Sequence, residues 1–324
     1  MQDITFLLSK NSVICGVEVV HSIEGFRFTK KPVVTIGIFD GVHLGHLAIL
    51  QRVTELAQSK NTESIVLTFE PHPRIVLNPN DLQFKLLQSL DEKIERLALA
   101  SIDKLVVIPF TKEFSTISHQ TFIKSYLVDI LKVDTVIIGY DHRFGNNRTG
   151  GLNELIEAGK THHFLIEEIP VQQIDSANIS STTIRNALLS NKIEVANQLL
   201  GYSYSLSGKV MKDRQLGRTI GFPTANLGDI HPHKLIPANG VYFVEVQLDR
   251  LKNHKGMMNI GTRPTVDGNS LSLEVHIFDF DSDLYDKTIQ VKFLQFIRNE
   301  QKFESISDLQ KQLSLDKAFC KKII

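Results

Sequence analysis

Residues 37–46 read GIFDGVHLGH, and the architecture of the first half of the chain can be predicted from this stretch and its flanks. The run that leads into it, Val33–Phe39, is apolar and rich in β-branched residues, which predicts a fully buried strand. The run that follows, Leu44–Ala57, carries apolar residues at helical spacing. A glycine-containing turn therefore leads from a strand into a helix N-terminus, where free N–H groups and the helix dipole attract anions.

The alternation of strand and helix continues beyond this corner. Such alternation predicts βαβ crossovers and a Rossmann-like parallel sheet with helices on both faces. Ligands of these sheets bind outside the carboxyl ends of the strands, so we expect the functional motifs to gather there. The further strands are predicted at Ser64–Phe69, Lys104–Ile108, Thr135–Ile138 and Phe164–Glu168, and the helices at Asp91–Ala100, His119–Leu131 and Leu152–Ala158.

The pattern changes near Leu200. Short β-rich runs, separated by Gly, Pro, Asn and Asp, predict a compact antiparallel barrel or sandwich. A helical segment, Ile179–Leu200, joins the halves, and a last helix is predicted at Ser307–Leu313. The β-rich runs are Tyr204–Met211, Val241–Leu248, Lys255–Ile260, Leu273–Phe278 and Thr288–Phe293.

These patterns predict two domains, at residues 16–186 and 203–324, joined by a helical linker at 187–202. The first fifteen residues are predicted to be a dispensable extension. Thirty-six basic residues balance thirty-six acidic ones in a chain of 324, which argues against a nucleic-acid partner. No apolar stretch approaches the ~20 residues of a membrane helix, and two cysteines fit no disulfide framework. We therefore expect a cytoplasmic protein without a membrane partner, either a monomer or a weak oligomer.

Two histidines spaced H-x-G-H open the first predicted site. His43 and His46 can both face the helix N-terminus and donate hydrogen bonds to phosphate oxygens, and Gly45 lets a nucleotide approach the backbone. An incidental pair or half of a metal site is the alternative. The strand before the pair and the glycines around it disfavour that alternative.

Three further runs accompany the histidines. Residues 179–185, ISSTTIR, offer hydroxyls and an arginine to a polyphosphate, although taken alone they read more simply as a helix cap. Residues 139–148, GYDHRFGNNR, form a Gly-rich loop at a strand end, which suits a nucleotide pocket. Residues 69–73, FEPHP, are equally well explained as a rigid X-Pro turn.

The C-terminal half has its own polar loop at residues 208–226, GKVMKDRQLGRTIGFPTAN. It contains no Walker A motif, so a P-loop is excluded. Thr224 and Asn226 can serve a hard cation bound to phosphate, and backbone N–H groups can cradle phosphates. An ordinary hairpin loop is the alternative. Glu274 opens an otherwise apolar strand, where a carboxylate is either exposed at an edge or a base for an alcohol proton.

The four N-terminal runs together resemble the H-x-G-H nucleotidyltransferases, and most closely the FMN adenylyltransferase module of prokaryotic bifunctional riboflavin kinase/FAD synthetases. All four occur in that module's order, with His142 replacing a usual aromatic. The resemblance implies in-line attack of the FMN phosphate on the α-phosphorus of ATP, with Mg²⁺ bridging phosphates. The catalytic residues so implied are His43, His46 and Arg185, and the nucleotide-binding ones are Gly37, Phe39, Asp40, Gly41, Gly45, Asp141, Arg143, Phe144, Gly145, Ser181 and Thr182.

The C-terminal runs resemble the riboflavin kinase module, which implies a Greek-key β-barrel. Glu274 would then be the general base for the 5′-hydroxyl of riboflavin, and Thr224 and Asn226 would handle Mg²⁺. Arg298 matches a position near the flavin. The remaining nucleotide-binding residues implied by the resemblance are Gly217, Arg218, Gly221 and Pro223.

Two residues depart from the kinase pattern, since Asp213 and Asp286 stand where glycine is usual. Asp tolerates positive φ better than most residues, but a carboxylate at position 213 is expected to weaken ATP binding. The predicted protein is thus a bifunctional enzyme that uses ATP, riboflavin and FMN and makes FAD. The alternatives are an FAD synthetase with a weakly active, mainly flavin-binding kinase half, a flavin-sensing regulator, and a transferase for another substrate.

Overall fold

The computed structural model describes residues 12–14, 16–21, 23, 30–140, 142–170, 179–212, 217, 220–248, 252–265 and 268–323. The chain divides into two compact units, Met1–Ile179 and Ser180–Ile324. In the described part of the chain, every helix is too short or too polar to cross a lipid bilayer.

The first unit is built on a seven-stranded sheet in the order β1-β2-β5-β4-β3-β6-β7. Six strands run parallel, and β1 pairs with β2 antiparallel at the edge. The predicted parallel sheet is confirmed. The strands are β1 (Ser12–Ile14), β2 (Val17–Val20), β3 (Val33–Ile36), β4 (Ser64–Glu70), β5 (Lys104–Pro109), β6 (Thr135–Gly139) and β7 (Leu165–Ile169).

The first two strands were not predicted, because three and four residues are too few to show a period. Ser12–Ile14 lies within the segment predicted to be dispensable, yet it forms the edge strand of the sheet. That prediction is therefore wrong for these three residues. Residues 1–11 and 15 lie outside the described residues.

Helices cover both faces of this sheet, because successive strand side chains point to opposite sides. Val33 and Val66 pack with the cluster under α1 and α3, whereas Val34 and Ile65 pack with the cluster under α4 and α5. The helices are α1 (Leu44–Ser59), α2 (Pro73–Leu77), α3 (Leu90–Leu99), α4 (His119–Phe122), which continues as a π-helix at Ile123–Ile130, and α5 (Leu152–His162).

The strand order reverses direction beside β3. From β3 the sheet extends through β4 and β5 on one side and through β6 and β7 on the other. β3 and β6 are paired in register, with Val33 opposite Thr135. A parallel sheet binds ligands in the crevice at such a switch point. The turn after β3 and the loop after β6 therefore flank the expected binding crevice.

The second unit contains a closed antiparallel barrel in the order β10-β11-β12-β9-β8-β13, with β13 pairing back to β10. The predicted antiparallel barrel is confirmed. One short strand, β9, was missed, because its four residues begin at the end of the polar run at residues 208–226 and are too few to show a period. The strands are β8 (Ser205–Met211), β9 (Ala225–Gly228), β10 (Gly240–Gln247), β11 (Asn253–Thr265), β12 (Gly268–Ile277) and β13 (Thr288–Arg298).

The helices of this unit whose bounds the structure describes are α6 (Ser181–Leu188), α7 (Ile193–Leu200) and α8 (Ile306–Ile323). The single helical segment predicted before the barrel is two helices, separated where Asn191 takes a left-handed φ of 58°. Asn197 on α7 donates to the carbonyl of Phe293 at 2.8 Å and accepts from the Tyr204 amide at 2.8 Å. The segment predicted as a linker is thus packed on the barrel.

Candidate active sites

The corner between β3 and α1 has a strained backbone. The Gly37 amide still bonds to the Leu67 carbonyl at 3.0 Å, as part of the sheet. The chain then turns with positive φ at Phe39 (51°), Gly41 (91°) and Val42 (36°). Positive φ is costly for a β-branched residue such as valine, and strain of this kind concentrates at functional sites. The quoted stretch is therefore a sharply bent corner rather than a continuation of the strand, as its glycines indicated.

Two stacked imidazoles stand at the start of α1. His43 is the N-cap, and its Nδ1 accepts a hydrogen bond from the His46 amide at 3.3 Å. An accepting Nδ1 carries no proton, so neutral His43 has its proton on Nε2. The rings of His43 and His46 lie 3.6 Å apart between centroids and are nearly parallel, at 16°. The H-x-G-H spacing thus brings the two rings together, as predicted.

The surroundings of His46 favour the neutral form of its imidazole. Burial lowers its pKa well below the usual value, and the neighbouring His43 and Lys93 lower it further. Among the described residues, its Nδ1 is buried and has no hydrogen-bond partner. An imidazolium would place a proton on that nitrogen without an acceptor, which is unfavourable in a buried position.

The predicted residues Phe39 and Asp40 hold the corner in place. The carboxylate of Asp40 accepts from the Leu87 amide at 3.0 and 3.2 Å, and the carbonyl of Phe39 accepts from Gln88 Nε2 at 3.1 Å. Asp40 is 4% exposed. Both residues therefore fix the segment before α3 to the corner, and Gly41, which follows them, turns the chain with a positive φ.

Lys93 on α3 is a charged residue that sequence reasoning missed. It is buried, and its Nζ donates to Thr68 Oγ1 at 3.4 Å. Burial lowers its pKa, while the charges of Asp40 and Glu70 oppose that change. Burial likewise raises the pKa of Glu70. A signal was present in the sequence, because Lys93 shares the apolar face of its helix with Leu90 and Leu97, and lysine is almost never buried without a reason.

The loop after β6 is anchored by Phe144. That ring is buried in the core and lies 5.6 Å from the ring of Phe122. Gly145 has a φ of 73°, and a side chain there would meet the Cα of His119 at 2.9 Å. Phe144 and Gly145 thus fix the loop against the core. Arg143 of the same loop is exposed. Asp141 lies outside the described residues.

The run at residues 179–185 forms the start of α6 in the second unit. Ser180 is its N-cap, with Oγ accepting from the Thr183 amide at 3.1 Å. The simple reading of this run as a helix cap is therefore correct for Ser180. Thr182 is exposed in the first turn, and Ser181 and Arg185 are half-buried. Their predicted contact with a polyphosphate stays a prediction.

A row of three polar residues crosses the barrel. Strand register places Glu274 on β12 directly opposite Asn259 on β11 and opposite Asn226 on β9. Directly opposite residues in a sheet share one face. Glu274 Oε1 accepts from Ser272 Oγ at 2.8 Å. The barrel thus unites the predicted base with the predicted metal-binding asparagine, and adds Asn259, which sequence reasoning missed.

Two cavities of the barrel unit meet at one residue, Thr224. The larger, of about 530 Å³, is bordered by the segment that includes Asp281 and Tyr285. The smaller, of about 320 Å³, is lined by Glu274 and by apolar side chains such as Phe222. Thr224 lines both cavities. Ligands bound in the two cavities would therefore both border Thr224.

Two further predicted barrel residues, Gly217 and Pro223, line these cavities. Gly217 lines the smaller one, and a side chain on it would meet the Phe222 carbonyl at 2.3 Å. Pro223 lines the larger one, and Gly221 turns the chain with a φ of 77°. Arg218 lies outside the described residues, as does Asp213. Asp286 has a φ of 65°, the conformation for which a family glycine was expected, and pairs with Lys209 at 2.8 Å.

Arg298 lines the smaller cavity, and its guanidinium forms an ion pair with a carboxylate of the same unit. Its Nη2 lies 2.7 Å from Oδ2 of Asp316, a buried residue of α8. His276 also lines this cavity, with Nδ1 2.8 Å from the Pro223 carbonyl. Neither partner was predicted, because each contact joins residues far apart in sequence.

Comparisons with known proteins follow the division into two units. Residues 26–183 match the family model FAD synthetase, and residues 200–324 match the model riboflavin kinase. A protein of Listeria monocytogenes named bifunctional riboflavin kinase/FMN adenylyltransferase is 40% identical over 91% of this chain and 94% of its own. A protein of the same name from Escherichia coli K12 is 40% identical over 88% and 90%.

A solved structure resembles the whole chain. It is described as a macrolide-efflux protein from Streptococcus pneumoniae, and the match has a TM-score of 0.84 and 29% identity. It covers 94% of this chain and 98% of that one.

Proposed function

The chain belongs to the family of bifunctional riboflavin kinase/FMN adenylyltransferases, and from that premise we propose how its two units divide the work. The barrel unit transfers the γ-phosphoryl group of ATP to riboflavin, which gives FMN and ADP. The sheet unit transfers AMP from a second ATP to FMN, which gives FAD and pyrophosphate. The family membership rests on 40% identity along most of the chain to the curated relatives.

We propose that His43 and His46 act on the phosphates of ATP during AMP transfer. An FMN phosphate oxygen attacks the α-phosphorus, and the bond to the pyrophosphate oxygen breaks in line. Positioning and charge stabilisation carry such a reaction, with no covalent enzyme intermediate. The supporting observation is the stacked pair at a helix N-terminus beside the sheet's switch point. The nucleotide-binding roles of Asp141, Arg143, Ser181, Thr182 and Arg185 are proposed from their motifs alone.

We propose that Glu274 is the general base of the barrel reaction. It takes the proton of the riboflavin 5′-hydroxyl as that oxygen attacks the γ-phosphorus, and ADP leaves. The observation that carries this assignment is the meeting of the two cavities at Thr224, beside the row that contains Glu274. The larger cavity suits the nucleotide. The smaller one, with its apolar walls, suits the flat flavin ring.

The donor atoms in the barrel fit Mg²⁺. Thr224 offers a hydroxyl and Asn226 an amide oxygen, and Mg²⁺ prefers oxygen ligands, of which the protein usually supplies few beside those of the phosphates. No cluster of three His, Cys, Asp or Glu side chains suited to a metal occurs among the described residues, which agrees with a site completed by substrate oxygens. When bound, Mg²⁺ would neutralise charge on the phosphates. Thr224 and Asn226 would orient it and the triphosphate.

We propose that the enzyme works in the cytoplasm on small-molecule substrates, without nucleic acid or membrane partners. A net charge of zero supports the absence of a nucleic-acid partner.

A product time course tests the proposed function. Purified protein receives riboflavin, ATP and Mg²⁺, and the flavins are separated by chromatography. We expect FMN to appear first and FAD to follow. FAD formation from supplied FMN but not from riboflavin would favour the alternative of a weak, mainly flavin-binding barrel. The absence of both products would overturn the proposal.

A further inference from the structure

A buried ammonium, that of Lys93, is linked through Thr68 to the corner after β3. Lys93 is 5% exposed, and its hydrogen bond to Thr68 Oγ1 is long, at 3.4 Å. Among the described residues it forms no ion pair with a carboxylate. An ammonium has three donors, and a buried charge without close partners is costly. Buried ionisable groups cluster at functional sites, which makes Lys93 a candidate for a role beyond packing.

The contacts of Lys93 lead to the corner. Its Nζ donates to Thr68 Oγ1, and that hydroxyl donates in turn to the Ile38 carbonyl at 3.2 Å. Ile38 lies within the stretch 37–46. The same segment of chain also holds the corner through Leu87 and Gln88, which bond to Asp40 and Phe39. Lys93 is therefore the charged member of a brace between the start of α3 and the corner.

We propose that Lys93 is a positioning residue for AMP transfer, which braces the corner through Thr68 and supplies a buried positive charge beside the corner. The inference rests on the proposed adenylyltransferase site and adds a residue to it. A fixed cation in a site that gathers phosphates is favourable, because it offsets their charge without being reorganised during the reaction.

The cation also contributes, after burial and His43, to keeping His46 unprotonated. The groups that act on His46 are His43 on its own helix and Lys93 on α3, and Asp40 and Glu70 act in turn on Lys93. Lys93 lowers the pKa of His46. Without that charge, His46 will take up a proton at a higher pH. In the native enzyme the imidazole therefore stays a neutral hydrogen-bond donor, and the lysine carries the positive charge.

The test compares Lys93→Met with Lys93→Arg, and uses Lys160→Met as the control for loss of an exposed helix lysine. Supplied FMN and ATP report AMP transfer, and supplied riboflavin reports whether the barrel is intact. We expect Lys93→Met to lower kcat for FAD formation about 10- to 100-fold, less than the loss of a donor in direct contact. Lys93→Arg should restore part of the rate, and FMN formation should not change.

A second readout separates positioning from simple stability. The titration of His46, followed by NMR of its ring protons, should move to higher pH in Lys93→Met and stay near the native position in Lys93→Arg. The acid limb of FAD formation should move in the same direction. If Lys93→Met does not fold, Lys93→Gln takes its place. Native FAD formation with an unchanged rate and unchanged His46 titration in the folded variant would overturn the inference. Failure of the native protein to make FAD would instead overturn the proposed function.

Discussion

The corner after β3 and the polar row of the barrel differ in the charges that they offer to the proposed phosphate substrates. The corner presents imidazoles and a buried ammonium, whereas the barrel presents a carboxylate between two asparagines. The difference follows from the two nucleophiles. An FMN phosphate is already ionised and has no proton to lose, so its site needs donors and positive charge. The riboflavin hydroxyl must lose a proton as it attacks, so its site needs a base.

Among the variants that test whether the two sites are chemically separate, the largest change in rate is expected for Glu274→Gln. Glu274→Gln keeps the shape of the side chain but removes the base, so FMN formation should fall roughly 10²- to 10⁴-fold. FAD formation from supplied FMN should not change. Rates of both reactions on one preparation give the answer, with the exposed Glu304→Gln as control. An equal loss in both reactions would show that the two sites are not chemically separate.

His46→Ala should have the opposite selectivity, with FAD formation reduced and FMN formation unchanged. Loss of one donor to the phosphates should lower FAD formation by about 10²- to 10³-fold. FMN should then accumulate from riboflavin, because the barrel is untouched. His162→Ala on α5 serves as the control for an imidazole away from the corner. Unchanged AMP transfer in His46→Ala would remove this histidine from the proposed mechanism.

A smaller and purely geometric effect is expected at Gly217. An alanine side chain would lie 2.3 Å from the Phe222 carbonyl, so the segment that carries Thr224 must shift. A displacement of about 1 Å can cost some 10²-fold in rate, and we expect FMN formation to fall about 10- to 100-fold. FAD formation from supplied FMN is the internal control. Native kinase rates in the variant would mean that this segment does not set the site.

The smallest effect concerns the stability of the sheet unit at acid pH. His46 has a lowered pKa in the folded protein, so the unfolded chain takes up the proton first as the pH falls. The free energy of unfolding should be fully present above about pH 6.5 and should decrease below it. Urea unfolding of the native protein and of His46→Gln at pH 7.5 and 5.5 measures this. The variant should lose less stability between the two values, and an identical loss would contradict the assignment.

The same comparison shows what sequence patterns can predict. The H-x-G-H spacing predicted the paired imidazoles, since a helix N-terminus leaves few positions for them. The β-rich runs predicted the barrel, and register then joined Glu274 to Asn226. Lys93 escaped notice because a lysine in a helix is usually exposed, and its burial depends on how α3 packs. The pairing of Arg298 with Asp316 escaped because α8 is longer than its apolar pattern indicated.

Chemical rescue of a Glu274→Ala variant tests the central contrast most directly. The truncation leaves room for a small carboxylate, and the variant is assayed with increasing formate, from riboflavin in one tube and from FMN in another. If Glu274 is the base of a separate kinase site, formate should raise FMN formation in proportion to its concentration and leave FAD formation unchanged. Full FMN formation without formate, or no response to it, would contradict a carboxylate base in the barrel.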